Sequence, residues 1–196
     1  PRVYPGWQVA ESISTLTAKN ALTPPLVVGL WNTSNRLGDY LPAKPVQTDA
    51  GRAFLKAYLR NAHRRVKQVS SDLYLRWIVE VVKPFIDANY RTHSGASQTC
   101  LMGSSMGGLI SLYAVCEYPQ VFGGAGCLST HWPICGDPFL EYLEEKLPAP
   151  AEHKLYFDRG TEGLDAEYVP WQTEMDALAL RHTYTPGINY LSLVFP

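Results

Sequence analysis

Residues 103–107 read Gly-Ser-Ser-Met-Gly, two adjacent hydroxyls framed by glycines. A serine becomes a nucleophile when the backbone holds its hydroxyl out from a sheet edge and nearby amides can take the charge that develops on an attacked carbonyl oxygen. A Gly-x-Ser-x-Gly turn between a strand and a helix does both. It is so tight that the positions two before and two after the serine have little room for a side chain. With Ser105 at the centre, Gly103 and Gly107 fill those positions; with Ser104 at the centre, Met102 would have to fit one of them. Ser105 is therefore the candidate nucleophile. The N–H of Met106, at the start of the following helix, is the expected oxyanion donor. The plainer alternatives are a phosphate-binding turn or a turn with no chemistry.

Such a serine works with an acid and a histidine, and around this type of turn they follow in the chain order Ser, Asp or Glu, His. The acid belongs after the next strand but one, "KLYF" at 154–157, where Asp158, Glu162 and Asp165 all lie. Asp158 directly ends the strand and could simply cap it; Asp165 could be the N-cap of the next helix. The base is harder to place. His63, His93 and His153 precede the acid. His182 follows it, but a helix over 166–181 rising ~1.5 Å per residue carries it about 24 Å toward the opposite sheet edge. His131, in "STHWPICGD", is expected with Trp132 to line the acyl or leaving-group pocket, or else to substitute as base. No metal site is expected from Cys127, His131 and Cys135, because Pro133 breaks any helix that would align them.

Placing these residues on one edge requires strands alternating with helices. Apolar runs predict strands at 25–32, 98–102, 123–129, 153–158 and 188–195. Helical spacing predicts helices at 8–20, 51–66, 71–90, 107–117, 138–146 and 166–181. Pro84 should kink or break the helix at 71–90, the strongest of these, near Lys83. Asp72 and Asp137 are expected as helix N-caps, the latter beside Pro138. Short apolar strands alternating with helices argue for a parallel sheet covered on both faces, with every strand-to-helix loop along one edge.

Composition narrows the partners. A net charge of −1 with 18% charged residues offers no basic surface for nucleic acid. No apolar run approaches the ~18 residues of a membrane span. The cysteines at 100, 116, 127 and 135 are unclustered; Cys100 and Cys116 are expected as buried free thiols, while a Cys127–Cys135 disulfide is left open. The opening "PRVYPGWQV" has neither Met nor the charged and apolar regions of a leader, so it is expected not to be a native start, and a leader removed before it fits equally.

Four stretches together resemble a known family: "VVGLWNTSNRLGDYLP", "VVKPFIDANYRT", "LMGSSMGGLISLYAVCEYPQVFGGAGCLSTHW" and "LYFDRGTEGLDAEY". The chain is similar to the "putative esterase" family of α/β-hydrolases, which includes enterochelin, feruloyl and acetylxylan esterases, S-formylglutathione hydrolase and mycolyltransferases. The turn itself is common to all α/β-hydrolases; "KPFIDANYRT" and "YPQVFGGAGCLSTHW" narrow the resemblance. It implies an α/β-hydrolase fold and a serine esterase acting on a small-molecule carboxylic ester through an acyl-enzyme on Ser105, with no cofactor. An acyltransferase or a non-catalytic binding protein of the same fold are the alternatives. In the family the acid lies just after a Gly-containing turn and about seven residues before a helical Gln; counting back from Gln172 selects Asp165, with Glu162 next. The family's base follows the last strand, so the histidine is expected after Pro196, outside these residues. The family's first strands and second oxyanion donor are likewise not among them. Residues 1–196 thus read as one α/β-hydrolase domain, incomplete at both ends. Arg36 matches a position near the family's site, where it would bind substrate or pin its loop through Asp39.

Overall fold

Strands β1 (Cys100–Ser104), β2 (Gly124–Leu128), β3 (Lys154–Gly160) and β4 (Tyr190–Phe195) form one parallel sheet in that order. Its register aligns Gly103 with Cys127, Cys127 with Phe157, and Phe157 with Ser192. The computed structural model describes residues 6–196, so residues 1–5, where the leader expectation falls, lie outside it. The described chain divides into two units, one ending at Trp31 and the other running from Asn32 to Pro196.

The first unit carries helix α1 (Val9–Ala18), within the predicted 8–20. The strand expected at 25–32 does not form. A strand exists only through a ladder with a neighbour, and among the described residues of this unit no second strand supplies one. Leu26, Val27 and Val28 are exposed, and Trp31 is 90% exposed. The sheet therefore has four strands rather than the expected five.

In the second unit the packing is dictated by helix α7 (Met106–Glu117), which runs from the end of β1. Its sequence, MGGLISLYAVCE, is apolar all round, and a helix of that kind must be covered on every side. Every residue from Met106 to Cys116 is buried. The sheet covers one side. On the other α2 (Arg36–Tyr40) packs against it, and α3 (Ala43–Gln47) and α5 (Ser71–Trp77) are bonded to it. The Tyr113 hydroxyl ties this layer together, donating to Asp72 at 2.7 Å and accepting from the Lys44 N–H at 3.3 Å. Asp72 is thus a partner of α7 and not the expected N-cap, a position held by Ser70 without a side-chain bond.

The predicted helix 71–90 breaks as Pro84 requires. α5 passes through a π-turn at Ile78–Val82 before α6 (Lys83–Asn89). Pro84 has no N–H to donate and its ring would press on the carbonyl four residues back; the widened turn removes that clash. Helix α4 (Asp49–Asn61) falls within the predicted 51–66 but for its first turn, capped by the Thr48 hydroxyl on the Gly51 N–H.

Helices α8 (Gly136–Lys146) and α9 (Val169–Arg181) follow β2 and β3. Asp137 is not the α8 cap: the helix begins one residue earlier, and Asp137 accepts from Trp171 Nε1 at 2.7 Å. Gln172 and Asp176 of α9 bond Ser192 and Tyr190 of β4, so α9 lies on the same sheet face as α7. The helices of this unit gather on that face. The opposite face presents Met102, 63% exposed, with Leu191, Tyr156 and Cys100. Cys100 is consequently exposed, against expectation, while Cys116, Cys127 and Cys135 are buried free thiols.

Candidate functional site

The β1–α7 turn puts Ser105 at φ 60° and ψ −118°. Those are the angles of the first central residue of a type II′ turn, a conformation dominated by glycine. A non-glycine residue held there costs about 1–3 kcal/mol, and the surrounding bonds must enforce it. Three backbone contacts do so. The Ser105 N–H donates to Leu128 O at 2.8 Å, while its carbonyl accepts from Gly108 N at 3.0 Å and from His131 N at 3.3 Å. The turn is thereby fastened to the exit of β2.

The two glycines are not equivalent. A Cβ on Gly103 would lie 2.6–2.7 Å from Gly107 backbone atoms, whereas one on Gly107 would meet nothing within 4 Å. Close approach therefore constrains the position before the serine; the expected constraint after it is absent. Ser105 remains half-exposed at the sheet rim, and among the described residues none of the hydrogen bonds engages its hydroxyl. Met106 opens α7, where the first amides have no helical carbonyl to bond.

Asp165 reaches the same rim from the loop after β3, in a 3-10 turn at Gly163–Tyr168. It is not a cap for α9, which starts at Val169. Its Oδ2 accepts from the Gly160 N–H at 2.6 Å and the Ser129 hydroxyl at 2.7 Å, holding the carboxylate across the ends of β2 and β3. Asp158 does not end its strand, since β3 runs on to Gly160; its carboxylate accepts from the Ser129 N–H and the Tyr156 hydroxyl. Glu162 is exposed.

His131 also lies at this rim. Its ring is held at both nitrogens: Tyr58 Oη of α4 is 2.7 Å from Nε2, and Tyr168 Oη is 2.9 Å from Nδ1. Both phenol rings stand edge-on to the imidazole. Burial pushes the His131 pKa below its ordinary 6.5; Glu167 opposes the shift, and Arg36 and Arg64 reinforce it. Burial also raises both phenols, Tyr168 to about 12, so each keeps its proton at neutral pH. As pH falls below 6.5 the unfolded chain takes up a proton that folded His131 refuses. The stability present above that pH is lost progressively until the folded ring also protonates. Replacing His131 with Asn should flatten the fall of Tm between pH 7 and 5; equal slopes in both proteins would contradict this.

The other expected pocket residues fare differently. Trp132 is not a cleft wall. It is fully buried, stacked on Phe157 at 6.2 Å, with Nε1 donating to Gln172 Oε1 at 3.2 Å. The indole immediately after a rim residue turns inward because β2 ends over the α9 interface. Arg36 is exposed, its guanidinium 5.5 Å above the Tyr40 ring. It does not act through Asp39, whose buried carboxylate is occupied by the Thr33 N–H and hydroxyl and the Ser70 hydroxyl. His182 sits at the C-terminal end of α9, 3.9 Å from Glu144, as its sequence position implied. Among the described residues no group of three or more His, Cys, Asp or Glu side chains is placed to hold a metal.

Tyr58 and Tyr168 escaped sequence reasoning. The usable signal was slight: Phe54, Leu55, Tyr58 and Leu59 form a half-buried stripe inside a helix whose basic end reads as solvated.

A family model described as "Putative esterase" matches residues 37–184. YbbA, an uncharacterised protein of Bacillus subtilis strain 168, is 35% identical over 60 residues, 30% of this chain and 24% of that protein. Among solved structures, an IroE-like serine hydrolase from Shewanella oneidensis aligns with a TM-score of 0.66 at 17% identity, over 96% of this chain and 60% of that one. The enterobactin esterase FES of Shigella flexneri, solved with 2,3-dihydroxy-N-benzoyl-glycine, aligns with a TM-score of 0.62 at 18% identity, over 98% of this chain and 43% of that one. The chain thus spans about two fifths to three fifths of the length of these structures. At such identities the likeness speaks to the fold.

Proposed function

The chain belongs to the Esterase family, and on that premise we propose that it cleaves carboxylic esters through an acyl-enzyme formed on Ser105. Its fold is that of the α/β-hydrolases, whose sites form where parallel strands run out into helices. The backbone of Ser105 carries the proposal: a strained conformation, enforced by three bonds, leaves the hydroxyl half-exposed at the sheet rim.

In the proposed reaction Ser105 Oγ attacks the ester carbonyl and its proton passes to a base. The oxyanion forms beside the Met106 N–H at the positive end of α7. Collapse of the tetrahedral intermediate breaks the C–O bond, and the alcohol leaves with the proton. Water then attacks the acyl-enzyme by the same route and releases the acid. Asp165 is the proposed acid, already held at the exits of β2 and β3. His131 is a poor base here because both ring nitrogens are engaged by phenols, and His182 lies at the far end of α9. The proposed base is therefore the histidine expected after Pro196. His131 and Arg36 are proposed to contact the ester at the rim.

A fluorophosphonate probe should label Ser105, identified by peptide mass, and a short p-nitrophenyl ester added first should slow the labelling. Ester turnover with the label on another residue would overturn the assignment. The dihydroxybenzoyl compound in the neighbouring structure suggests including catechol esters in a panel with feruloyl, acetyl-sugar and simple aryl esters.

A further inference from the structure

The Tyr58–His131–Tyr168 cluster has a proton inventory that fixes its direction. A neutral imidazole has one N–H and one bare nitrogen, and each phenol has one O–H. The cluster therefore holds three such protons, and its two hydrogen bonds consume two of them. One O–H is left to donate elsewhere, and the tautomer decides whose.

With the proton on Nδ1, His131 donates to Tyr168, Tyr58 donates to Nε2, and the Tyr168 O–H is left over. Tyr168 is only 2% exposed, and among the described residues its hydroxyl has no second partner to receive that proton. A buried donor without an acceptor is the costly arrangement. With the proton on Nε2, Tyr168 donates to Nδ1, His131 donates to Tyr58, and the spare O–H belongs to Tyr58. Tyr58 is half-buried on α4, where an incoming acceptor can reach it. The accounting selects this second arrangement. The cluster is also tied to the turn of the proposed nucleophile, because the backbone N–H of His131 donates to the Ser105 carbonyl at 3.3 Å.

We propose that Tyr58 is a specificity-determining residue of this rim: as the open end of the relay Tyr168 to His131 to Tyr58, its O–H donates to an acceptor oxygen of the bound ester close to the scissile group. The inference rests on the esterase reading above. It selects esters with an ether, hydroxyl or carbonyl oxygen near the reacting carbon over all-alkyl esters of the same shape. Tyr168 is a positioning residue, acting through the ring it orients.

The test uses pairs that differ by one oxygen for one methylene: p-nitrophenyl methoxyacetate against p-nitrophenyl butyrate on the acyl side, and 2-methoxyethyl acetate against butyl acetate on the alcohol side. The ratio of kcat/KM within each pair is compared between the wild type and Tyr58→Phe. The expected result is a roughly tenfold loss of the oxygen preference in one pair. Ratios unmoved in both pairs, including an equal loss for both members, overturn the proposal while leaving the esterase reading intact. Failure of the wild type to turn over any ester removes that reading, and the proposal with it. Should Tyr58→Phe not fold, long-range 1H–15N correlations of wild-type His131 decide: protonation at Nε2 is expected, and protonation at Nδ1 overturns the proposal.

Discussion

Ser105→Ala is expected to lower kcat on a short p-nitrophenyl ester at least about 10³-fold, because removing a covalent nucleophile leaves only oxyanion stabilisation and binding. The fold should be untouched. The bonds that secure residue 105 run through its backbone, and alanine keeps all of them. A second substitution separates chemistry from structure. Ser105→Gly also deletes the hydroxyl, but glycine accepts φ 60° and ψ −118° without strain. Relief of about 1–3 kcal/mol, less about 0.5–1 kcal/mol for the greater freedom of unfolded glycine, leaves a net gain near 1 kcal/mol. In a chain of this size that raises Tm by about 2–4 °C. The joint result, an inactive and more stable protein, is what a site that sacrifices stability for function produces. Activity within tenfold of wild type in Ser105→Ala would remove Ser105 from the chemistry. A Tm that falls in Ser105→Gly would show that the backbone angles are not strained.

What the sequence revealed and what it hid divide along the range of the interactions involved. The β1–α7 turn was legible because its constraint is local: Gly103, two residues before Ser105, closes on the backbone of Gly107, two residues after it. Pro84 was legible for the same reason, its missing N–H acting on the turn just before it. The misplaced details are long-range. Asp72 and Asp137 looked like caps, yet Tyr113 and Trp171 donate to them from 41 and 34 residues away. Tyr58 and His131 meet across 73 residues, and nothing in either neighbourhood announces it. Trp132 follows His131 directly, but one faces the rim and the other the core, a choice made by Phe157 and Gln172 on later elements. The apolar run at 25–32 had the composition of a strand without a ladder partner among the described residues of its own unit. Periodicity reports that a segment wants burial or pairing; it does not report who provides it.

The bracketing glycines offer the sharpest test of the turn, because the structure predicts opposite signs for two substitutions that look alike in sequence. In Gly103→Ala the new methyl would stand 2.6–2.7 Å from the Cα, C and O of Gly107. These are backbone atoms at the start of a helix buried from Met106 to Cys116, so they cannot swing aside as a flexible side chain would. Either β1 leaves its register with β2 or α7 shifts off the sheet, and overpacking against an immovable neighbour should cost more than about 3 kcal/mol. Chemical denaturation would show a lower midpoint, and because the same shift moves Ser105 against the α7 amides, ester turnover should fall with it. Gly107→Ala places its methyl in open space and gives α7 a better helix former, for a gain of about 0.5–1 kcal/mol. If both substitutions destabilise alike, the close approach is mutual and the one-sided geometry of this turn is wrong. If neither does, the strand and helix are not packed as tightly as the strained serine between them requires.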